Sequence, residues 1–170
     1  MNLVLTGFMA SGKTSIAKAI AERSGYTLID TDEMIERKAG MTINEIFEKY
    51  GEKRFREIEH ECVAEAAAHN DAVISTGGGV VLDKSNLKAL RQNGVIINLA
   101  PDFSVIQERL AAAAATRPLL QNTDIEAVRK RFEDRLPYYS DYDFQIRNAN
   151  DKAPSEYADE ILGVFGDVRK

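Results

Sequence analysis

The chain has 170 residues and a net charge of −5 at pH 7, from 22 lysines and arginines and 27 aspartates and glutamates. This length predicts one domain, and the acidic balance argues against a nucleic-acid-binding protein, which would neutralise phosphates with lysine and arginine. A hydrophobic content of 44% excludes disordered and fibrous classes. The single cysteine, Cys62, excludes an intrachain disulfide and a cysteine-cluster metal site, which fits a reducing compartment. We expect Cys62 to pack inside a helix.

The sequence contains no membrane-spanning or secretion signal. No stretch approaches the ~18 to 20 apolar residues that cross a bilayer. The segment Met1–Thr6 lacks the basic region and the long apolar region of a signal peptide. We therefore expect a soluble, cytoplasmic protein that does not bind a membrane.

Short β-rich runs alternate with longer runs of helical composition. The β-rich runs are Leu3–Thr6, Thr27–Ile29, Ala72–Ser75, Val95–Leu99 and Phe144–Ile146. The helical runs are Ser15–Arg23, Ile43–Tyr50, Glu52–Ala68, Ser85–Gln92, Phe103–Leu110, Ile125–Arg135 and Pro154–Phe165. This alternation predicts an α/β fold of three layers, a parallel sheet covered by helices on both faces. In such sheets ligands bind at the carboxyl ends of the strands.

Local signals refine two of the helical regions. Thr42 and Glu45 have the spacing of a capping box, and Gly51 is a plausible helix end. Five alanines, Ala111–Ala115, favour a helix that ends near Arg117, because Pro118 disfavours the α conformation in the residue before it. This segment is either a surface helix or a mobile lid that carries Arg117.

A phosphate-binding motif follows the first β-rich run. Residues 7–14 read Gly-Phe-Met-Ala-Ser-Gly-Lys-Thr and match G-x-x-x-x-G-K-[ST] at every fixed position, between a strand and a helix. The glycines let backbone N–H groups point at phosphate oxygens, and the helix N-terminus adds its positive dipole. Lys13 is expected to bridge the β- and γ-phosphates, and the Thr14 hydroxyl to bind Mg²⁺.

The motif alone does not separate a switch from a catalyst. A GTPase would carry N/T-K-x-D and D-x-x-G motifs, which we do not find. The length of the chain disfavours a large motor or transporter ATPase. A kinase of a small molecule or a nucleotide remains.

Two carboxylates follow the second β-rich run. Asp30 and Asp32 are two residues apart, so both would project from the same side of a continued strand, beside the phosphate loop. One could hold Mg²⁺ through water and the other could deprotonate an acceptor hydroxyl. The alternative is structural, since aspartate is common at a helix N-cap.

Three glycines, Gly77–Gly79, follow the third β-rich run and leave backbone exposed for close approach of a ligand. A tight turn is the alternative, although one glycine usually suffices for it. Taken singly, Arg56 suggests a surface ion pair with Glu52 or Glu59, and Arg135 suggests an ordinary helix C-terminus.

Together these segments resemble the shikimate kinases, within the nucleoside-monophosphate-kinase-like group of P-loop proteins. The resemblance covers nearly the whole chain, and the order and spacing of the segments make it specific. The matching segments are residues 7–14, 30–36, 40–47, 51–52, 55–59, 77–79, 117–120 and 135–139.

The resemblance implies ATP-dependent phosphorylation of the shikimate 3-hydroxyl, which gives shikimate 3-phosphate and ADP in aromatic amino-acid biosynthesis. It implies a five-stranded parallel sheet in the order 2-3-1-4-5. It also implies a single kinase domain over residues 1–170, expected to be monomeric, with a shikimate-binding region at about 31–60 and a lid at about 110–123.

The resemblance also assigns roles to individual residues. For ATP it implies Ala10, Ser11, Gly12, Lys13, Thr14, Ser15, Arg117 and Lys152, and for Mg²⁺ it implies Thr14 directly and Asp30 through water. For shikimate it implies Asp32, Arg56, Gly78 and Arg135. The catalytic residues would be Lys13, Asp32 as the base and Arg117 on the lid.

Two positions depart from the family pattern. Ala10 stands where glycine is frequent, and the arginine expected seven positions before Arg117 is replaced by Leu110, with Arg109 one position away. Two other functions stay open at this point: a kinase of another polyol acid such as gluconate, and a nucleotide-binding module without transfer activity.

Overall fold

A computed structural model of the chain describes residues 1–116 and 123–166. The strands are β1 (Asn2–Thr6), β2 (Thr27–Asp30), β3 (Ala72–Ser75), β4 (Gly94–Leu99) and β5 (Phe144–Ile146). The α-helices are α1 (Lys13–Ser24), α2 (Thr31–Ala39), α3 (Ile43–Ala67), α4 (Lys84–Arg91), α5 (Phe103–Ala114), α6 (Ile125–Arg135) and α7 (Pro154–Phe165). Two 3₁₀ turns cover Val80–Leu82 and Leu136–Ser140.

The five strands form one sheet in the order β2-β3-β1-β4-β5, and every neighbouring pair is parallel. This confirms the predicted fold class and strand order. β1 lies at the centre, paired with β3 on one side and β4 on the other. The carboxyl ends of β1, β2 and β3 therefore lie side by side, and the segments that follow them share one edge of the sheet.

The core has a layer on each face of the sheet. Leu3 and Leu5 of β1 belong to a buried cluster with α1 and α7, whereas Val4 belongs to a cluster with residues of α3 and α4. Successive strand residues point to opposite faces, so a strand covered on both faces is apolar throughout its middle. None of the helices in the described residues is long and apolar enough to cross a membrane.

Gly51 interrupts α3, as its position in the sequence predicts. Its backbone has φ 80° and ψ 174°, so the segments before and after it are two helices that meet at a kink. The second segment carries Phe55 and Cys62, which are buried with Ile35 of α2 in a third cluster. Cys62 is a free thiol packed in a helix, as expected.

The alanine run is mostly helical. α5 ends at Ala114, and the Thr116 hydroxyl donates a hydrogen bond to the carbonyl of Ala113. A helix that ends at this point agrees with the sequence prediction. Arg117 and the other residues up to 122 lie outside the described residues.

We predict opposite effects of two glycine-to-alanine substitutions. Gly51→Ala should lower the free energy of unfolding by about 1–3 kcal/mol, because its φ and ψ are accessible to glycine but strained for other residues. Gly163→Ala should raise it by roughly 0.5–1 kcal/mol, because Gly163 lies inside α7 with open space where a Cβ would go. Urea unfolding of both variants measures this, and an equal effect in the two would contradict the conformational explanation.

Candidate active site

A cavity of about 810 Å³ opens at the shared edge of the sheet. Its lining includes most residues that the sequence singled out: Ala10, Ser11, Gly12, Lys13, Thr14, Ser15, Asp30, Asp32, Gly78 and Lys152. Arg56 and Arg135 do not line it directly. They lie against the triplet Gly77–Gly79, which we call the glycine wall. Arg117 lies outside the described residues.

The phosphate loop has a backbone that few sequences permit. Gly7 has φ 153°, and a Cβ on it would lie 2.6 Å from the Ser11 hydroxyl oxygen and 2.7 Å from the Leu99 carbonyl oxygen. Ala10 has φ 57°, a left-handed conformation that costs an L-residue about 1–2 kcal/mol. Gly12 is also left-handed, with φ 97°, so the loop depends on two glycines and one strained alanine.

Lys13 lies inside this loop. Its Nζ donates hydrogen bonds to the carbonyls of Gly7 and Phe8 and to the Ser11 hydroxyl, and the residue is only 9% exposed. Burial lowers the pKa of Lys13 to about 8, against the charges of Asp32 and Asp30, which raise it. The ammonium is thus desolvated beside two carboxylates.

Two side chains from distant parts of the chain bind carbonyl groups of the loop. Asn148, which is 1% exposed, donates from Nδ2 to the Ser11 carbonyl at 2.6 Å. Arg109 of α5 donates from Nη1 to the Ala10 carbonyl at 3.0 Å, and from Nε to Asn150 at 3.1 Å. Asn148 and Arg109 also line the cavity, so residues of the site itself hold the loop backbone in place.

Asp30 and Asp32 meet at the cavity, but not as two residues of one strand. β2 ends at Asp30, whose Oδ1 accepts hydrogen bonds from the backbone N of Asp32 at 2.9 Å and of Glu33 at 3.2 Å. Asp30 is therefore the N-cap of α2, and Asp32 lies in the first helical turn. The prediction that the strand continues through Asp32 is wrong, because the Asp30 carboxylate caps α2 and the helix begins at Thr31.

The pKa of Asp32 is raised, first by burial and then by the charge of Asp30, while Lys13 and Arg56 lower it. Gly77 makes room for this carboxylate, because a Cβ there would lie 2.6 Å from Asp32 Oδ1. Asp32 is thus a partly desolvated carboxylate with cations near it, which is the environment of a base whose proton affinity has been increased.

The oxygen atoms at this edge suit a magnesium ion. The Thr14 hydroxyl and the Asp30 carboxylate both line the cavity, and hard oxygen donors are the ligands Mg²⁺ prefers. Within residues 1–116 and 123–166 there is no group of three or more His, Cys, Asp and Glu side chains that could hold a metal ion. Mg²⁺ commonly takes one or two protein oxygens and completes its shell with water and phosphate.

Arg56 and Arg135 both reach the glycine triplet. Arg56 Nη1 donates to Glu59 Oε1 at 2.8 Å, and its Nη2 lies 2.7 Å from where a Cβ on Gly79 would be. Arg135 Nη1 lies 3.5 Å from the equivalent point on Gly78. A side chain on either glycine would therefore meet a guanidinium group.

Arg56 forms both ion pairs that the sequence suggests, with the exposed Glu52 at 3.6 Å from its Nε and with Glu59 at 2.8 Å from its Nη1, but Glu59 is not a surface residue. Glu59 is only 2% exposed, and burial raises its pKa while the hydrogen bond from Arg56 opposes the increase. Arg56 is thereby held in one orientation against the glycine wall. The Arg135 guanidinium lies 6.0 Å from the centre of the Phe8 ring, so it too packs beside the phosphate loop.

Comparison with known proteins assigns this arrangement to a family. The family model described as shikimate kinase matches residues 9–165. The chain belongs to the shikimate kinase family. A shikimate kinase from Caldicellulosiruptor bescii is 45% identical over 164 residues, which cover 96% of this chain and 94% of that protein. A shikimate kinase from Thermoanaerobacter pseudethanolicus is 40% identical over 99% of this chain and 98% of its own length.

The fold agrees with a solved structure of the same family. The shikimate kinase from Acinetobacter baumannii in complex with shikimate superposes with a TM-score of 0.85 at 32% identity, covering 99% of this chain and 95% of that chain. Both the sequence and the fold therefore match shikimate kinases over nearly the full length.

Sequence reasoning about this shikimate kinase family member missed three residues at the site: Asn148, Glu59 as a buried partner, and Tyr139, whose hydroxyl donates to the Gly78 carbonyl. Asn148 lies two residues after the end of β5. This position near the carboxyl end of a strand was the one signal in the sequence that could have indicated it. The contacts of Asn148 and Tyr139 join residues 137 and 61 positions apart, which no local pattern indicates.

We predict that Asn148→Ala raises the KM for ATP several-fold and lowers stability by about 1–3 kcal/mol, because the Ser11 carbonyl loses its buried donor. The KM for the acceptor should change little. Asn93→Ala is the matched control, since Asn93 Nδ2 donates to the His69 carbonyl at 2.6 Å at the opposite end of the sheet. Steady-state kinetics with urea unfolding would disprove the prediction if both variants changed the ATP KM equally.

Proposed function

We propose that this chain carries out the reaction of its family at the cavity described above. The reaction transfers the γ-phosphoryl group of ATP, with Mg²⁺, to the 3-hydroxyl of shikimate, and it yields shikimate 3-phosphate and ADP in the shikimate pathway. The observation that carries the proposal is that a phosphate loop, the half-buried Asp32 carboxylate and Gly78 line one cavity, and that two arginines lie against the glycine triplet to which Gly78 belongs. Family membership over residues 9–165 favours shikimate over the rival polyol acid.

ATP binding falls to the phosphate loop. The backbone amides of residues 10–15 and the N-terminus of α1 would hold the phosphate oxygens. The Lys13 ammonium, buried beside the loop carbonyls, would neutralise charge on the β- and γ-phosphates. Lys152 lines the same cavity and is proposed to contact the nucleotide. Arg117, outside the described residues, is proposed to cover the transferred group from the lid.

Mg²⁺ would neutralise charge on the phosphates and orient them when bound. Thr14 is proposed to hold it through its hydroxyl. Asp30 already accepts two backbone hydrogen bonds through Oδ1, which is consistent with an indirect contact to the ion through water.

Asp32 is proposed as the base. The acceptor hydroxyl would donate its proton to the Asp32 carboxylate as its oxygen forms a bond to the γ-phosphorus and the bond between that phosphorus and the β–γ bridging oxygen breaks. The raised pKa of Asp32 supports this role, because a carboxylate with a higher pKa is a stronger proton acceptor. Lys13 and Arg56 keep positive charge close to the ionised form.

Arg56 and Arg135 are proposed to bind the shikimate carboxylate, and Gly78 to contact the ring substituents through its backbone. Both guanidinium groups lie against the glycine triplet, and Glu59 fixes the orientation of Arg56. A planar guanidinium binds a carboxylate with two parallel hydrogen bonds. This pair would orient the 3-hydroxyl toward Asp32.

We further propose that residues 1–170 act as one kinase domain and as a cytoplasmic monomer that does not bind nucleic acid. The lid would span about 110–123 and the shikimate-binding region about 31–60. The net charge of −5 supports small-molecule substrates over nucleic acid.

The central test measures ADP release by purified protein with Mg²⁺, ATP and either shikimate or gluconate. We expect turnover with shikimate, and Asp32→Asn should lower kcat by roughly 10²- to 10⁴-fold because the proton acceptor is lost. Glu33→Gln, at the exposed neighbouring position outside the cavity, should leave kcat unchanged. Background ADP release with shikimate sinks the proposal, and an unaltered kcat in Asp32→Asn refutes the base.

Arg56→Ala or Arg135→Ala should weaken acceptor binding by ~2–5 kcal/mol, because each leaves a desolvated carboxylate without one of its charge partners. Affinity for ATP should be nearly unchanged. Arg54→Ala is the control, since Arg54 forms an exposed pair with Glu57. Titration calorimetry with shikimate and with ATP measures both affinities, and equal losses for the two ligands would contradict the assignment.

A further inference from the structure

Tyr139 is a buried side chain next to the acceptor side of the site that the proposed reaction does not use. It lies in the 3₁₀ turn Leu136–Ser140 that follows α6, and it is 7% exposed. Its ring belongs to the core cluster beside Phe8. The residue also borders a second cavity of about 460 Å³. Because the ring packs among apolar side chains, the hydroxyl is the part of Tyr139 that can act on the site.

The hydroxyl of Tyr139 donates a hydrogen bond to the carbonyl oxygen of Gly78. The hydroxyl oxygen and Arg135 Nη1 lie beside the same glycine, 3.6 and 3.5 Å from where a Cβ on Gly78 would be. A tyrosine hydroxyl has one proton to donate, and here that proton goes to the Gly78 carbonyl. One oxygen atom therefore holds a backbone group of the glycine wall next to one of the two acceptor-site arginines.

The proton on that hydroxyl is firmly held. Burial raises the pKa of Tyr139 to about 12, although the nearby guanidinium of Arg135 opposes the increase. The hydroxyl therefore stays a donor throughout the pH range in which a kinase is assayed. Its hydrogen bond to Gly78 is a constant feature of the site.

Three consecutive glycines need such restraint. Glycine has more backbone conformations than any other residue, so the triplet Gly77–Gly79 is not held by its own sterics. The Thr31 hydroxyl accepts a hydrogen bond from the Gly77 N–H at 2.9 Å, and the carbonyls of Gly77 and Gly79 accept from the backbone N–H groups of Val80 and Leu82, both at 3.1 Å. Tyr139 holds the carbonyl between them, that of Gly78. Because a peptide unit is planar, it also fixes the direction of the Gly79 N–H.

We propose that Tyr139 is a positioning residue for the acceptor: its hydroxyl fixes the Gly78–Gly79 peptide in the wall against which the Arg135 guanidinium lies. This inference rests on the proposed function, because it assumes that the acceptor binds at this wall. Tyr139 acts through Gly78 and does not itself touch the reacting atoms.

Tyr139→Phe tests the proposal, since it removes one oxygen atom and keeps the ring in the core. The KM and the calorimetric Kd for shikimate should rise roughly three- to tenfold, the loss expected for one hydrogen bond. The KM for ATP should stay within twofold. Tyr138→Phe is the matched control, because Tyr138 is the neighbouring tyrosine and is 46% exposed; it should change neither constant.

A double-mutant cycle separates positioning from general stability. Arg135→Lys and Tyr139→Phe should be non-additive for shikimate affinity, because both side chains lie against Gly78 and share it as a neighbour. Each variant is also made with Gly163→Ala, so that a loss of stability does not prevent the measurement.

An unchanged shikimate Kd in folded Tyr139→Phe overturns the inference, as does an equal rise for shikimate and ATP, or additivity in the cycle. Failure of the wild-type protein to phosphorylate shikimate is a different result and overturns the proposed function. The two failures are therefore distinguishable.

Discussion

Two hydrogen bonds to the carbonyl oxygen of Leu5 join the strands that carry the two halves of the site. Thr76 donates both of them, from its backbone N at 3.1 Å and from its hydroxyl at 2.8 Å. β1 leads from Leu5 into the phosphate loop, and β3 leads through Thr76 into the glycine triplet. Because both strands are buried and in fixed register, with Leu5 opposite Ser75, the separation of the two binding surfaces is set by the sheet.

The charges of the site are arranged against the overall charge of the chain. Lys13 and Arg56 lie close enough to Asp32 to lower its pKa, and Arg135 lies close enough to Lys13 to lower the pKa of that lysine. These cations gather at one site although the chain carries a net charge of −5. Each of these cations has a local neighbour: loop carbonyls bind Lys13, Glu59 binds Arg56, and the Phe8 ring lies beside Arg135. Cations that are already held in one orientation bind anions strongly, because their side chains need little reorganisation when the anion arrives.

Much of the fold follows from local sequence patterns. β3, β5, α6 and α7 have the bounds that composition predicts, and Thr42 caps α3 by accepting a hydrogen bond from the Glu45 N–H, as the capping-box spacing indicates. These features depend on residues a few positions apart, and so do the phosphate-loop motif and the break at Gly51. Periodicity and capping preferences report such interactions directly.

The helix α2 and the contacts that join distant segments were beyond those patterns. Asp30 and Asp32 could be strand or helix residues, and only the Asp30 N-cap decides between them. Asn148 and Tyr139 act on carbonyl groups of other loops, and a side chain that binds backbone leaves no complementary residue type to recognise in the sequence. The site residues that could be predicted belong to a specific motif or carry a charge at the end of a strand. The residues that were missed bind backbone carbonyl groups and hold the loops of the site in place.

Ala10 gives the phosphate loop a property that a glycine at the same position would not. Its backbone is held at φ 57°, and Arg109, which lines the same cavity, donates a hydrogen bond to its carbonyl. A residue with a β-carbon has fewer conformations than glycine in any loosened state of the loop. The loop therefore has less conformational entropy to lose when it closes around a polyphosphate, and backbone strain in the free protein accompanies this stiffness.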